Sequence, residues 1–449
     1  MTLLKQKNFF LLMVAKLISL IGTQMQNFAL SLYILKATGS ATKFASVLAL
    51  TLIPQLIFAP VAGVLVDWFN RKKILIYLDL LSGIIVGTFA VIYKFNNELL
   101  LGHVYFIAIT LSLISLLYSP AISTVIPTIV KKEELVKANS MNSFIMNIGN
   151  LISPAIAGAL LGFYGMFLIL VVNSISFIFS SICELFITIP AVNKKPKKIN
   201  LNAFTTDFVE GINFIKTKTI MLNIIILGLM INFVSPVIGS IGLTYLSKQV
   251  LKISDYQFGT LQSITVVALI LSPLLCNLVS KKAKLGTILF IDIFVVSILV
   301  CMMAALASPA YLKLFSSNLI PYITLIIIGF IIMLVTSIGN MALGVMFQQE
   351  VPLAIMGRVG TVMTTACMAA VPLGQMIFGV LFDKLYTWVC FSIAASILLI
   401  VILCFRSSLC KHEKPTDELN TCDANKIHDD NLCIDCPEVA NLIDDSQIE

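Results

Sequence analysis

Three carboxyl groups interrupt long apolar stretches of this sequence, where an uncompensated charge is costly. They belong to Asp79, Glu184 and Asp292, and Glu350 lies near the end of another such stretch. A carboxyl group in apolar surroundings can be held neutral and can then take up or release a proton. Asp79, Glu184 and Asp292 are therefore candidates for carrying protons. The alternative for Asp292 is a structural ion pair with Lys284, about two helical turns earlier.

A polar hairpin with a regular spacing follows one of the apolar stretches. It reads Gly63-Val-Leu-Val-Asp-Trp-Phe-Asn-Arg-Lys-Lys73. Gly63 allows a neighbouring backbone to approach closely, and Asp67 places an acid where a helix ends. The cations that begin at Arg71 are typical of the cytoplasmic side of a membrane protein. Basic charge alone would indicate only topology, but the regular spacing of Gly63, Asp67 and Arg71 indicates a more specific role.

The first apolar stretch carries one cation and a polar stripe. Lys16 lies about 10 Å inside it by helical rise, and it can extend to the membrane surface, form an internal ion pair or act in transport. Thr23, Asn27 and Ser31 share one helical face, and two glutamines flank that face. A stripe of this kind has to face protein or water rather than lipid.

The cysteines and histidines do not form a recognisable metal centre. Cys433 and Cys436 make a C-x-x-C pair near the carboxyl end, which is able to bind zinc or copper. No second C-x-x-C or His pair accompanies them, so we expect no metal and reduced thiols. The sequence contains no hydrolytic constellation and no Gly-x-x-x-x-Gly-Lys-Ser/Thr loop for nucleotides. We therefore expect no cofactor and no enzyme activity.

Composition places the chain among the membrane proteins. Hydrophobic residues make up 58% of the sequence and charged residues 12%, whereas soluble domains have about 25% charged residues. The mean hydropathy is +0.99. A helical span needs about 20 apolar residues, which predicts an all-α membrane protein with twelve transmembrane helices. The predicted spans are 9–35, 43–66, 74–93, 103–130, 140–162, 166–189, 220–246, 257–280, 286–307, 319–347, 358–382 and 387–406.

The positions of lysine and arginine predict the orientation of these spans. Most of the 30 Lys and Arg residues lie before the first span, in alternate loops or after the last span. We therefore expect both termini on the cytoplasmic side of the plasma membrane. The first apolar segment has no small-residue cleavage site, so it indicates a span rather than a secretory signal. The formal charge of +7 reflects topology, and no nucleic-acid partner is expected.

The chain divides into two similar halves, a linker and a tail. Asp79 and Asp292 lie 213 residues apart, and each falls early in the third span of its half. We predict a first six-helix bundle over 1–189 and a second over 220–406. A cytoplasmic linker over 190–219 is expected to contain an interfacial amphipathic helix. Residues 407–449 are expected to form an acidic, disordered tail.

These features resemble the major facilitator superfamily. The hairpin around Asp67 resembles the loop signature between its second and third transmembrane helices. The turn Thr38-Gly-Ser-Ala41 and the later Val351-Pro352 and Gly357-Arg-Val359 resemble the bacterial exporter group of macrolide-efflux and enterobactin-export proteins. The resemblance covers about residues 8–406. It implies two six-helix bundles with a substrate passing between them.

The fifth span resembles the antiporter signature of the superfamily. The residues that match or replace its positions are Gly149, Ser153, Pro154 and Gly158. Ser153 and Ala157 stand where the signature has glycine, and both are small, so tight packing against the other half is still expected. The alternative is ordinary small-residue packing without antiport.

The resemblance implies a secondary active, proton-coupled exporter of a lipophilic or amphipathic compound, such as a macrolide-like drug or a siderophore. Its partners would be the substrate, protons and membrane lipid, and we expect a monomer. The alternative is a transporter-like receptor or lipid-handling protein without antiport. By analogy with the superfamily, the first, fourth, seventh and tenth spans line the pathway. This nominates Gln24, Asn27, Ser115, Tyr118, Asn232 and Asn340.

The resemblance also implies a gate on the cytoplasmic side. Asp67 would meet the amino-terminal end of the eleventh span near Arg358, where backbone N–H groups carry a partial positive charge. Arg71 would orient the Asp67 carboxylate or pair with it. Such a contact would hold the two halves together on the cytoplasmic side.

Overall fold

The computed structural model describes residues 6–68, 70–131, 134–188, 201–280, 285–315, 317–352 and 355–411. This part of the chain is helical and contains no strand. The helices of the first half are α1 (Lys7–Thr38), α2 (Ala41–Trp68), α3 (Arg71–Asn96), α4 (Leu101–Ile129) and α5 (Leu135–Leu185). The others are α6 (Leu201–Thr217), α7 (Thr219–Ile238), α8 (Ile241–Tyr245), α9 (Asp255–Ser280), α10 (Leu285–Leu306), α11 (Pro309–Leu312), α12 (Leu319–Glu350), α13 (Met356–Lys384) and α14 (Thr387–Lys411).

Ten helices in the described ranges are long and apolar enough to cross a membrane. The predicted fifth and sixth spans form one element, α5, which changes direction at Gly165. The backbone there has a φ of 74°, a left-handed conformation that glycine adopts at little cost. The prediction of an all-α membrane protein is therefore confirmed, and twelve spans are consistent with these helices because α5 holds two of them and α9 adds another.

The seventh span differs from its prediction in shape. We predicted one helix over 220–246, but α7 ends at Ile238 and Gly239 separates it from α8. Pro236 lies inside the last turn of α7, and a proline ring there weakens the helical hydrogen bonding. A wider helical turn over Leu246–Val250 then completes the segment.

Two helical bundles pack against each other mainly through two helix pairs. Within the first bundle, α1 and α3 pack on α5 and α2 packs on α4. Within the second bundle, α10 packs on α12 and α14, α9 packs on α12, and α7 packs on α13. Between the bundles, α2 packs on α13 and α5 packs on α9, and α2 also contacts α8. The first two pairs form the larger part of the contact between the halves.

The two ends of the molecule are defined by their contacts. Asn8 and Thr188 exchange two hydrogen bonds of 3.1 Å, so the start of α1 lies beside the end of α5. We call this the inner end. The opposite end, which holds Thr38 and the end of α13, is called the outer end. The distribution of lysine and arginine predicts that the outer end is extracellular.

The helix of the predicted linker, α6, packs on α13 and α7. Glu210 accepts a hydrogen bond of 2.7 Å from Arg358, and a Cβ on Gly211 would lie 3.0 Å from the Arg358 carbonyl oxygen. α14 continues to Lys411, beyond the predicted start of the tail at residue 407. Cys433 and Cys436 lie outside the described residues. The division into 1–189, 190–219, 220–406 and 407–449 stays an interpretation.

Candidate functional site

A buried pair of carboxyl groups lies within the first bundle. Asp79 of α3 is 3% exposed and Glu184 of α5 is 1% exposed. Tyr118 of α4 donates a hydrogen bond of 3.0 Å to Glu184 Oε1. Three other buried atoms there have no hydrogen-bond partner among the described residues, namely Asp79 Oδ2, Glu184 Oε2 and Ser180 Oγ. The structure therefore joins two proton-carrier candidates and one pathway candidate in one cluster, which we call the carboxyl cluster.

Small residues allow α3 and α5 to approach closely enough for this cluster. A Cβ on Gly83 would lie 2.8 Å from the Ile178 side chain, and the Gly83 carbonyl oxygen accepts a hydrogen bond of 2.7 Å from Ser174. About two helical turns nearer the cluster, Ser181 donates to the Ile76 carbonyl oxygen at 3.0 Å. Hydroxyl groups that bond to the neighbouring backbone thus fix α5 against α3 and position Glu184 beside Asp79.

The third carboxyl candidate, Asp292, lies in the other bundle. It is 8% exposed on α10, and its Oδ1 atom has no hydrogen-bond partner among the described residues. Its Oδ2 atom occupies the place that a Cβ on Gly339 of α12 would need. Lys284, the proposed ion-pair partner, lies outside the described residues. Asp292 is therefore buried against a helix backbone and separate from the carboxyl cluster.

The six residues nominated for the pathway are all at least partly accessible. Asn27, Ser115 and Asn340 are exposed, whereas the other three are half-buried: Gln24, Tyr118 and Asn232. The Asn232 amide donates to the Gly228 carbonyl oxygen of its own helix at 2.9 Å. These positions agree with a lining role, and that role stays a prediction.

On α1, one polar residue beside the stripe of Thr23, Asn27 and Ser31 faces the interior of the bundle instead. Gln26 is fully buried and accepts a hydrogen bond of 2.7 Å from the Asn173 amide of α5. Gly22 lies one turn away on the same side, where a Cβ would collide with Asn173 and Ser176. The side of α1 that carries Gly22 and Gln26 therefore packs on the second part of α5, whereas Asn27 is exposed.

The predicted inner gate is described only in part. α2 extends through Asp67, but the side chains of residues 59–69, and hence those at Gly63 and Asp67, lie outside the described part of the chain. Arg71 opens α3 and donates to the Thr124 carbonyl oxygen at 3.5 Å. Arg358 lies in the first turn of α13, as the prediction requires, and pairs with Glu210. The contact of Asp67 with α13 stays a prediction.

The antiporter-like segment of α5 contacts helices on both sides. A Cβ on Gly149 would lie 2.6 Å from Leu20 of α1, and Ser153 donates to the Gly149 carbonyl oxygen at 2.6 Å. A Cβ on Gly158 would lie 2.7 Å from the Asp255 carbonyl oxygen of α9, in the other bundle. Pro154 lies inside the helix between these glycines. The segment thus lies at the contact of the two halves.

A carboxylate joins the two halves at the outer end. Asp383, in the last turn of α13, accepts hydrogen bonds from the backbone N–H groups of Ala41 at 2.6 Å and Thr42 at 3.0 Å. The Ser40 hydroxyl donates to the same carboxylate at 2.7 Å. These are the unpaired N–H groups at the start of α2, where a negative charge is favoured. Asp383 therefore caps a helix of the opposite half.

An ion-pair network forms the second outer connection. Asp255 accepts from Lys36 of α1 at 2.5 Å and from Lys248 at 2.9 Å. Lys36 is half-exposed, whereas Lys248 and Asp255 are buried. Phe28 of α1 stacks on Phe258 of α9 with ring centroids 5.3 Å apart. Charge and aromatic contacts thus close the outer end between the halves.

This outer closure was not predicted from the sequence. Lysines near helix ends are ordinary markers of topology, and neither Asp255 nor Asp383 was among the candidate residues. One signal was present, because an acid in the last turn of a helix opposes the helix dipole. Asp383 in that position therefore indicated a partner outside its own helix. No group of three or more metal-ligating residues occurs within the described ranges.

Comparison with known proteins agrees with this architecture. The family described as transmembrane secretion effector matches residues 1–436. Macrolide efflux protein A of Streptococcus pyogenes is 26% identical over 226 residues, which cover 50% of this chain and 55% of that protein. The chain therefore spans about half the length of the curated relatives that it matches first.

Solved transporter structures share the fold. A bacterial homologue of the iron transporter ferroportin, in an inward-facing state, superposes with a TM-score of 0.71 at 14% identity and covers 92% of this chain and 100% of that chain. The nucleoside transporter NupG superposes with a TM-score of 0.68 at 13% identity, over 90% and 99% of the two chains. Both likenesses show the fold alone.

Proposed function

The chain belongs to the transmembrane secretion effector family of major facilitator transporters, and from this we propose that it exports a lipophilic or amphipathic compound in exchange for protons. It is a multi-pass membrane transporter and not an enzyme. Its relatives include proteins named for macrolide efflux and multidrug efflux. These names support export as the direction and an apolar compound as the cargo.

The observation that carries the proposal is the closure of the two halves at the outer end. Asp383 of the second half binds the start of α2 in the first half, and Asp255 binds a lysine from each half. Such contacts can break and reform as rigid bundles rock around a central site. The described state then corresponds to one end of an alternating-access cycle, with the substrate entering from the inner end.

Proton coupling is supported by the carboxyl cluster. Two carboxylates buried without a cation would cost several kcal/mol, and no described residue forms an ion pair with Asp79 or Glu184. A bound proton would neutralise one of them and supply a donor for an unpaired oxygen. Tyr118 connects the cluster to α4, so protonation there would reach a helix that lines the proposed pathway. Asp292 remains a further candidate.

The other predicted residues have roles in the same cycle. Gly63, Asp67, Arg71 and Arg358 would close the inner end when the outer end opens. The antiporter-like segment would let α5 and α9 separate and return. Both termini would lie in the cytoplasm, the transporter would act as a monomer, and membrane lipid would surround it.

Transport by inverted membrane vesicles tests this proposal. Respiration acidifies their lumen, so an exporter should accumulate its substrate inside, and we would compare erythromycin, rhodamine 6G and enterobactin. We expect accumulation of at least one probe that collapses when a protonophore is added. Vesicles without the protein are the control. If none of them accumulates in the presence of the protein, the chain is better explained as a transporter-like receptor or lipid-handling protein.

A further inference from the structure

Lys16 is an intramembrane cation with a neutral partner. Its ammonium group donates a hydrogen bond of 2.5 Å to Asn142 Oδ1 of α5. No carboxylate among the described residues pairs with it. An ammonium has three N–H donors, and the Asn142 oxygen uses one of them. Two of the three N–H donors of an ammonium group therefore remain available near the inner end.

The face of α1 that carries Lys16 is accessible but is not a lipid-facing surface. Lys16, Thr23 and Asn27 share this face by helical spacing, and Asn27 is exposed. Phe10 is the only exposed large apolar side chain on α1, all of which is described. By contrast, α3 exposes six such side chains: Tyr77, Leu80, Leu81, Ile84, Val91 and Phe95. α1 therefore exposes far less apolar side-chain surface than α3, which suits a position between the halves rather than against lipid.

Lys16 also dominates the charge of the helices that line the proposed pathway. The other charged residues of α1, α4, α7 and α12 lie at helix ends, and they are Lys7, Lys36 and Glu350. The carboxyl cluster is buried within the first bundle and Asp292 within the second. Within these four helices, Lys16 is therefore the one Lys, Arg, Asp or Glu residue away from a helix end. A negative charge placed beside it would be attracted more strongly than in bulk water.

We propose that Lys16 and Asn142 form an anion-binding subsite and that the transported compound is a lipophilic anion. The ammonium would bind a carboxylate, sulfonate or ionised phenolate, and the Asn142 amide N–H would donate to the same group. The apolar part of the compound would lie farther along α1. This inference rests on the proposed function only in taking α1 to line the substrate path. It favours an acidic amphiphile over a basic macrolide.

Two amphiphilic probes of similar size and opposite charge test the subsite directly. 1-Pyrenebutyrate and 1-pyrenebutylammonium would be titrated against the purified full chain in detergent, with no ion gradient. We expect tighter binding of the carboxylate. Lys16→Gln should weaken anion binding by about tenfold, because one charge-assisted hydrogen bond is lost. Lys16→Glu should invert the preference. If Lys16→Gln is poorly folded, Lys16→Arg is the second test and should preserve the preference.

The matched control is Lys43→Gln, which removes an exposed lysine at the outer end and should leave both affinities unchanged. Preference for the ammonium probe in the unmodified protein would contradict the proposal. Equal anion affinity in the unmodified, Gln and Glu proteins would show that Lys16 only extends to the membrane surface, and a lack of anion binding would also overturn it. Because binding needs no gradient, a failure of proton-driven export leaves these results unaffected.

Discussion

The carboxyl cluster is where single atoms matter most in this protein. Asp79 and Glu184 are both buried. Among their carboxyl oxygen atoms, Glu184 Oε1 alone receives a hydrogen bond from a described side chain of another helix. Protonation of one carboxyl group would lower the free-energy cost of burying the pair, whereas a doubly ionised pair would keep that cost. The cluster is thus suited to bind and release a proton during a transport cycle.

Replacing Glu184 with Gln should separate transport from its driving force. The amide keeps the shape and can bond to Tyr118, but it cannot release a proton. We expect accumulation against a gradient to fall at least about tenfold, because a pH difference of about one unit, worth about 1.4 kcal/mol per proton, could no longer drive it. Exchange of labelled for unlabelled substrate, which needs no net proton movement, should continue.

The control for this variant is Glu98→Gln, which removes an exposed carboxyl group at the outer end. It should change neither accumulation nor exchange. A Glu184→Gln protein that still accumulates substrate at the original level would remove Glu184 from the coupling mechanism and leave Asp292 as the better candidate.

The sequence identified the chemistry of these residues but not their neighbours. Asp79, Glu184 and Asp292 are conspicuous because acids are rare in apolar spans. The grouping of Asp79 with Glu184 depends on which helices touch. α3 packs on the second part of α5, and the periodicity of the sequence does not show which helices are neighbours. The outer residues Lys36, Asp255 and Asp383 were missed because a charge near a helix end has an ordinary role in topology.

At the scale of helices, the contact between α2 and α13 functions as a clamp. The Asp383 carboxylate bonds to two backbone N–H groups of α2, and a Cβ on Gly379 would lie only 2.6 Å from the Ala45 side chain. Close backbone approach and helix capping act together here. The same two helices would make the predicted contact of Asp67 at the inner end. A carboxylate would then connect α2 and α13 at each end of the pair.

Asp383→Ala should shift the protein toward opening at the outer end. Replacing a helix-capping side chain with Ala costs about 1 kcal/mol, so the closed-to-open ratio should fall by roughly fivefold. Spin labels at Lys43→Cys and Tyr386→Cys, in a background without other cysteines, would report the distance between α2 and the start of α14. Lys384→Gln is the control, because it removes the neighbouring exposed charge. Identical distance distributions in all three proteins would mean that Asp383 does not act as a clamp.

Gly158→Val should weaken the other contact between the halves. Its Cβ would lie 2.7 Å from the Asp255 carbonyl oxygen and 3.1 Å from the Gly259 Cα, and backbone atoms cannot move aside easily. Overpacking of this kind costs about 1 to 3 kcal/mol, so the thermal midpoint should fall. Gly162→Val, one turn away with nothing within 4 Å of its Cβ position, is the matched control. Equal midpoints would show that α5 and α9 are not tightly apposed.

Helix positions were predictable because apolar length and loop charge determine them. The interruptions were not, since Gly165 and Gly239 act through backbone conformation rather than through composition. Hydropathy averages over such residues, so α5 and the α7 region differ most from the predicted spans.

For the whole molecule, the orientation in the membrane decides which way a compound moves. Lysine and arginine are concentrated in the segments assigned to the inner end, which predicts a cytoplasmic inner end. A cysteine at Lys43 should react with an impermeant thiol reagent on intact cells, and one at Lys216 on α6 should react only after permeabilisation. Both side chains are exposed. The reverse labelling pattern would show that the inner end is extracellular. Transport in the proposed direction through the molecule would then be import.

Exchange of protons for substrate is the proposed activity to which the carboxyl cluster, the contacts between the halves and the orientation in the membrane all contribute. The direct measurement uses the purified protein in liposomes that contain a pH-sensitive dye, with the compound that vesicles accumulate added to one side only. A substrate gradient alone should drive protons in the opposite direction, and the pH change should vanish without substrate or in Asp79→Asn protein. Movement of the compound across the liposome membrane with no accompanying pH change in the unmodified protein would contradict proton-coupled export.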